Sequence, residues 1–303
     1  MTRLRLDLAY DGGGFYGWAR QPDLRTVQGT IEDALHKVLR VPFDDADEPL
    51  RLTVAGRTDT GVHASHQVVH PDVSDEVLAP CVGHMEVPST VALASRLKAV
   101  LPSDIVIHQV SVAPEGFDAR FSALERTYVY RVADQSSEVD PRLRGCVLRV
   151  DETLDLDVMN QAAAMTIGLH DFGSFATPNP GGTTIREVKT AYWRRVPAAP
   201  LIPDAIAMDE AYRTPTLESG LITFTIVADA FARNMVRSLV GSCIKVGSGR
   251  KSLAWFAGKM AEPVREGSSG PIAPQGLTLE HIAYPADDQL AARAEAIRAV
   301  RTL

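Results

Sequence analysis

The stretch RLTVAGRTDTGVHASHQVVHPDV, Arg51–Val73, decides how this part of the chain folds. RLTVAG and HQVVHPDV are short runs of strand-forming residues, and the glycines, threonines and single aspartate between them suit a sharp turn. The pattern predicts strand, turn, strand, with Asp59 at a strand end. Gly56 and Gly61 permit the tight backbone, the hydroxyls of Thr58 and Thr60 can support a carboxylate, and Arg57 is close enough to shape its surroundings. On these residues alone Asp59 has two readings: a polar residue of a connecting turn, or a carboxylate held rigidly for chemistry.

Working outward, LRLDLAY alternates Leu4, Leu6, Leu8 and Tyr10 against polar neighbours, the period of a strand with one buried face. YDGGGFYGW breaks it. From Thr26, placed to cap a helix, Val27, Ile31, Ala34, Leu35, Val38 and Leu39 recur at helical spacing. A helix over Val91–Val100 leads through LPSD to the strand IVIHQVSV. Then RTYVYRVA predicts a strand, LDVMNQAAAMTIG a helix, and TAYWRRV and LITFTIVADAF strands. NMVRSLVGSCIKVG predicts a helix with Val236, Leu239, Val240, Cys243 and Ile244 on one face. The proline-rich, acidic segment 197–219 reads as a loop inserted in a hairpin, and DDQLAARAEAIRAVRTL as a terminal helix. This predicts a first α+β domain over 1–112, a second over 113–288 and a helical tail over 289–303. The two halves show no residue-level repeat.

At 303 residues the chain can bury one large core or two ordinary ones. A net charge of −7 argues against indiscriminate nucleic-acid binding, which needs lysine and arginine at phosphates, but leaves room for a local basic surface. No run approaches a membrane span, and MTRLRLDLAY lacks the apolar core of an export signal. The three cysteines, Cys81, Cys146 and Cys243, are far apart and form no C-x-x-C pair, which fits a reducing cytoplasm.

Three other constellations compete with Asp59. The GGG of YDGGGFYGW lacks the spacing, lysine and following helix start of a phosphate loop. His63, His66 and His70 with Asp59 raise a metal site, but His66 and His70 at i and i+4 of a strand lie about 13 Å apart. Ser174 with His170 as base lacks a nucleophile elbow, and the neighbouring Phe172 and Phe175 read as packing residues.

Several separate stretches, in order along nearly the whole chain, resemble the tRNA pseudouridine synthase A family. They are YDGGGFYGWARQP with TVQGTIEDAL, AGRTDTGVHA with QVVH, LPSDI, FDARFSALERTYVY, HDFGSF, ADAFARNMVRSLVGSCIKVG and GLTLEHIAYP. GRTDTGVHA, ARFSALERTYVY and FARNMVRSLVG are the most specific pieces.

The resemblance implies isomerisation of uridine to pseudouridine in the tRNA anticodon stem-loop, at positions 38, 39 and 40, without metal or cofactor. It implies Asp59 as the catalytic aspartate, Tyr128 as the active-site tyrosine, Arg57 as the arginine associated with the flipped nucleotide, and Arg237 as the arginine paired with the carboxylate. The implied fold is α+β, two domains with antiparallel sheets flanked by helices and an active-site cleft, assembled as a homodimer. Arg20, Arg120 and Arg126 are candidates for phosphate contacts on a basic surface. The acidic FDDADE at 43–48, the segment 197–219 and SSGPIAPQ depart from the family pattern and bear on substrate range. The rivals are a metal-dependent hydrolase built on Asp59 and the histidines, and an RNA-binding module without turnover.

Overall fold

The computed structural model describes residues 1–42, 50–177, 182–201, 214–264 and 270–297. FDDADE, most of the 197–219 segment and the end of the tail lie outside the described residues. In chain order the elements are β1 (Thr2–Tyr10), α1 (Val27–Leu39), β2 (Thr53–Val54), β3 (His63–His70), β4 (Asp72–Val73), α2 (Asp75–Leu78), α3 (Ser89–Val100), β5 (Ile105–Val112), β6 (Glu125–Ala133) and β7 (Leu148–Arg149). They continue with α4 (Leu156–Ala164), β8 (Gly168–Asp171), β9 (Ile185–Arg195), β10 (Ile222–Ala228), α5 (Met235–Gly247), α6 (Leu253–Ala261), β11 (Leu277–Ala283) and α7 (Leu290–Ile297). The chain divides into two compact units, Met1–Thr127 with Thr278–Thr302, and Tyr128–Leu277.

In the first unit β1 is central. It pairs antiparallel with β3 (Leu6 with Val69) on one side and with β5 (Leu6 with Val110) on the other. Leu4, Leu6 and Leu8, alternating along β1, are wholly buried, as are Ile31 and Leu35 of α1 and Leu93 and Leu97 of α3. Burying such a side chain contributes about 1.5–3 kcal/mol, so this face holds the unit together. The Thr26 hydroxyl accepts from the Gly29 N–H at 3.2 Å and starts α1 where the sequence places it.

β11 lies parallel to β3, with Thr278 opposite His63. The sheet of this unit is therefore mixed rather than purely antiparallel. A strand that returns after a connection of well over a hundred residues is free of the reversal a short hairpin imposes.

Residues 113–127 and the chain from Thr278 pack in the first unit. The Ala119 N–H donates to His70 Nδ1 (3.0 Å), the Leu124 N–H to the Ala283 carbonyl (2.8 Å) and the Ser122 hydroxyl to the Leu290 carbonyl (3.1 Å). α7 docks through buried Leu290 and Ala294.

In the second unit the strand order is β6, β10, β9, β8. β10 and β9 form an antiparallel pair in which Phe224 faces Trp193, their rings stacked at 4.7 Å. Asn160 of α4 clamps Trp193 by accepting from its N–H (2.8 Å) and donating to its carbonyl (3.0 Å). On α5 Val236, Leu239, Val240, Cys243 and Ile244 are all buried, the face that the helical spacing predicts. The hydrophobic pattern gives no sign of α6 or of β8. The pattern also extends LDVMNQAAAMTIG too far, since α4 ends at Ala164 and β8 begins at Gly168.

Candidate active site

Asp59 sits on the turn between β2 and β3. The chain leaves the sheet at Ala55, whose N–H donates to the Val68 carbonyl (2.9 Å), and closes the turn with the Val62 N–H donating to the Asp59 carbonyl (3.1 Å). Beneath the turn lies a buried polar network. The hydroxyls of Tyr10 and Thr58 are 2.7 Å apart, and the Gln67 amide donates to the Tyr10 oxygen (3.3 Å) and to the Gly56 carbonyl (2.7 Å). Burial pushes the Tyr10 phenol up to about 12, against the opposing pull of Thr58 and Gln67, so at neutral pH it is an uncharged hydrogen-bonding group. Such a network fixes geometry because each lost partner leaves a buried group unpaired at about 1–3 kcal/mol. The Thr58 hydroxyl therefore faces the interior and supports the turn rather than the carboxylate, and Thr60 is exposed.

The glycine-rich loop lies on the other side of this turn. A Cβ at Gly12 would stand 2.0 Å from the Val62 carbonyl oxygen, and one at Gly17, where φ is +84°, would stand 3.0 Å from the Thr58 oxygen and 3.2 Å from the Asp59 carbonyl carbon. The Trp18 N–H donates to the Thr58 carbonyl (3.0 Å), the Gly61 N–H to the Phe15 carbonyl (3.3 Å) and the Gly12 N–H to His63 Nδ1 (3.0 Å). Loop and turn thus meet backbone to backbone, and this close approach is what the glycines serve instead of a phosphate. The loop is latched to α1 as well, with the Tyr16 N–H on the Arg25 carbonyl (2.9 Å) and the Val27 N–H on the Gly17 carbonyl (3.2 Å). Arg25 covers the Phe15 ring at 4.0 Å and pairs with Asp104 at 2.8 Å.

Within this unit the half-buried Asp59 carboxylate takes no hydrogen bond or ion pair from a described side chain, and Arg57 beside it is exposed. The carboxylate is left available on a backbone fixed from both sides. Tyr10, Gln67 and Gly17 are the residues that the sequence reading missed. The alternation along β1 buries Tyr10, but nothing local marks its tie to Thr58 and Gln67.

In the second unit Tyr128 of β6 is 7% exposed, with the Phe231 ring edge-on at 5.1 Å. Arg237 of α5 donates from Nε to the Ile272 carbonyl (2.6 Å) and from its terminal nitrogen to Asn234 Oδ1 (3.3 Å).

The histidines are engaged separately. His66 Nε2 is 2.9 Å from Asp7 and its ring stacks on His281 at 5.1 Å, whereas His70 Nδ1 accepts from the Ala119 N–H. Among the described residues no group of three or more His, Cys, Asp or Glu is arranged to hold a metal ion. Ser174 donates to the Glu262 and Val264 carbonyls and His170 Nε2 lies 3.0 Å from the Ile167 carbonyl, so the two form no nucleophile–base pair.

Of the phosphate candidates, Arg120 is exposed with its guanidinium 5.1 Å over the Phe121 ring. Arg20 is tied to α1 through Glu32 (2.8 Å) and Asp33 (2.5 Å). Arg126 departs from the expectation. It is 8% exposed and donates to the carbonyls of Ala55 (2.7 Å) and Arg120 (2.8 Å), so it braces the strand leading into the Asp59 turn. No helix among the described residues is long and apolar enough to cross a membrane.

The Asp59 turn presents one carboxylate on a backbone held by its neighbours, and comparison with known proteins gives the family in which it occurs. Residues 162–285 match the family model described as tRNA pseudouridine synthase. Proteins named tRNA pseudouridine synthase A from two strains of Bifidobacterium longum are 88% identical over 303 residues, covering all of both chains. The one from Bifidobacterium animalis subsp. lactis is 67% identical, again over the whole of both chains. A Streptomyces griseus relative of the same name is 48% identical over 304 residues, covering all of this chain and 95% of its own. The chain belongs to the tRNA pseudouridine synthase family.

Proposed function

We propose that this protein isomerises uridine to pseudouridine in the anticodon stem-loop of tRNA, at positions 38, 39 and 40, with Asp59 as the catalytic carboxylate. The observation that carries this reading is the Asp59 turn, clamped by the glycine loop above and the Tyr10–Thr58–Gln67 network below, in a chain of this family. The bond from C1′ to uracil N1 breaks, the base turns, C5 bonds to C1′, the C5 proton leaves to solvent and N1 gains a proton. Asp59 acts at the sugar, as nucleophile at C1′ or as base. No water is consumed, so the second carboxylate of a glycosidase is unnecessary.

The target base is stacked in a stem and has to be extruded before C1′ is reached. In this reading Arg57, exposed beside Asp59, occupies the space the base vacates, and Tyr128 receives the uracil on its ring face. Tyr128 is buried before RNA binds, so this role requires side-chain movement at Phe231. Arg237 takes the part of the arginine that the family resemblance pairs with the catalytic carboxylate. Arg120 and Arg20 contact phosphates, and Arg20 must be released from Glu32 and Asp33 to do so. The active form is a homodimer acting on tRNA in the cytoplasm, a compartment consistent with three cysteines that form no disulfide.

Release of tritium from tRNA labelled at uridine C5, measured for wild type and Asp59→Asn with a chelator present, tests the reading. Wild type releases tritium at its full rate and the variant does not. Absence of release from wild type sinks the proposal, and loss of release on chelation favours the metal-dependent rival.

A further inference from the structure

We propose that Tyr16 is a stacking platform for a nucleobase of the RNA strand that carries the reacting uridine. The inference rests on the functional reading above and adds a substrate contact to it. Tyr16 is 54% exposed, more than any other described phenylalanine, tyrosine or tryptophan. Single exposed aromatics are common on protein surfaces, so exposure alone decides nothing. What sets Tyr16 apart is how its backbone is held and where.

Its N–H donates to the Arg25 carbonyl (2.9 Å) and its carbonyl accepts from the Gln21 side-chain amide (3.0 Å). Its neighbours are committed too. The preceding residue, Phe15, is buried under Arg25, and the next, Gly17, is pressed against the peptides of Thr58, Asp59 and Thr60. A flat apolar ring is thus carried, at low further ordering cost, by the loop that lies directly on the turn bearing the catalytic carboxylate.

Extruding a base from a stem leaves its neighbours in the strand without a stacking partner, and an aromatic ring replaces that partner for any base, because every base has a π face. That tolerance suits the three neighbouring target positions proposed above, since the bases flanking each of them differ. A phenol is also wetted at its hydroxyl end, which lets the ring stand in solvent before RNA arrives.

The test measures affinity of an anticodon stem-loop RNA by fluorescence anisotropy for wild type, Tyr16→Ala, Tyr16→Leu and Tyr16→Phe. Tyr16→Ala is expected to bind about tenfold more weakly and Tyr16→Phe as wild type. Tyr16→Leu, which keeps bulk without the ring, is expected to fall with Ala. Each base flanking the target is then replaced in turn by an abasic residue. At one of these positions wild type loses the same factor and Tyr16→Ala loses nothing more.

Equal binding by Tyr16→Ala and wild type overturns the proposal, and so does an alanine effect that persists undiminished on every abasic RNA. Should the alanine variant fold poorly, the leucine and phenylalanine variants decide, since only loss of the ring predicts that they differ. Tritium release by the same wild-type preparation reports on the isomerase reading separately, and the anisotropy result stands whichever way that falls.

Discussion

A Cβ placed on Gly17 would stand 3.2 Å from the carbonyl carbon of Asp59, and Gly17 holds a backbone φ of +84° that L side chains rarely adopt. The loop and the turn therefore meet backbone to backbone, and the Asp59 carboxylate is carried on a backbone that the loop holds in place.

Gly17→Ala is expected to cost about 1–3 kcal/mol of stability and to lower kcat more than it raises KM, because the turn has to shift away from the new methyl. Gly220→Ala is the control. Gly220 has a φ of +77° with open space around it, so it shares the backbone penalty without touching the site. Thermal unfolding and steady-state kinetics on the two variants separate the effects: both lose Tm, and only Gly17→Ala loses kcat.

Stability is expected to fall as pH rises above 10. Burial raises the Tyr10 phenol to about 12 and also raises Tyr130 and Tyr284. The folded state therefore keeps protons that the unfolded chain releases above its ordinary value of 10.0. The stabilisation is whole below pH 10 and is lost at roughly 1.4 kcal/mol per pH unit for each such tyrosine as pH climbs toward the folded value. Urea unfolding from pH 8 to 11.5 reads the slope. Tyr10→Phe is expected to be less stable at neutral pH by about 1–2 kcal/mol, through the unpaired Thr58 hydroxyl, and to show an alkaline slope shallower by one proton.

The buried placement of Arg126 predicts that Arg126→Met weakens the fold by about 2 kcal/mol, since two carbonyls lose their donor, and lowers kcat by unsettling the strand into the Asp59 turn. The salt dependence of tRNA binding is expected to be unchanged. A slope smaller by about one would instead mark Arg126 as a phosphate contact.

Arg237→Ala is expected to cripple turnover more than tRNA binding, as a group that serves the reaction rather than the RNA contact should. Single-turnover rates beside filter-binding affinities check this. An RNA-binding defect with turnover retained at saturating tRNA overturns the role.

Much of the local structure was legible in the sequence. The alternation of Leu4, Leu6 and Leu8, the Thr26 cap and the apolar face of α5 all depend on neighbours in the chain, which is why pattern alone finds them. The parallel seat of β11 beside β3 is set by contacts more than two hundred residues apart and leaves no local trace. At the site, Asp59 was visible as a polar residue on a glycine-bounded turn. The inward rotation of the Thr58 hydroxyl was not, because it depends on Tyr10, 48 residues away. The burial of Arg126 was hidden for a similar reason: one of the two carbonyls it donates to, that of Ala55, lies 71 residues back along the chain.

The most direct test of the central claim is a side-by-side measurement on tRNA carrying tritium at uridine C5, with wild type and Asp59→Asn, together with the affinity of each protein for the same tRNA. The account predicts steady tritium release by wild type, none above background by Asp59→Asn, and affinities within about threefold of each other, since the carboxylate acts in the reaction rather than in binding. Tritium release by Asp59→Asn at a rate near that of wild type would contradict it.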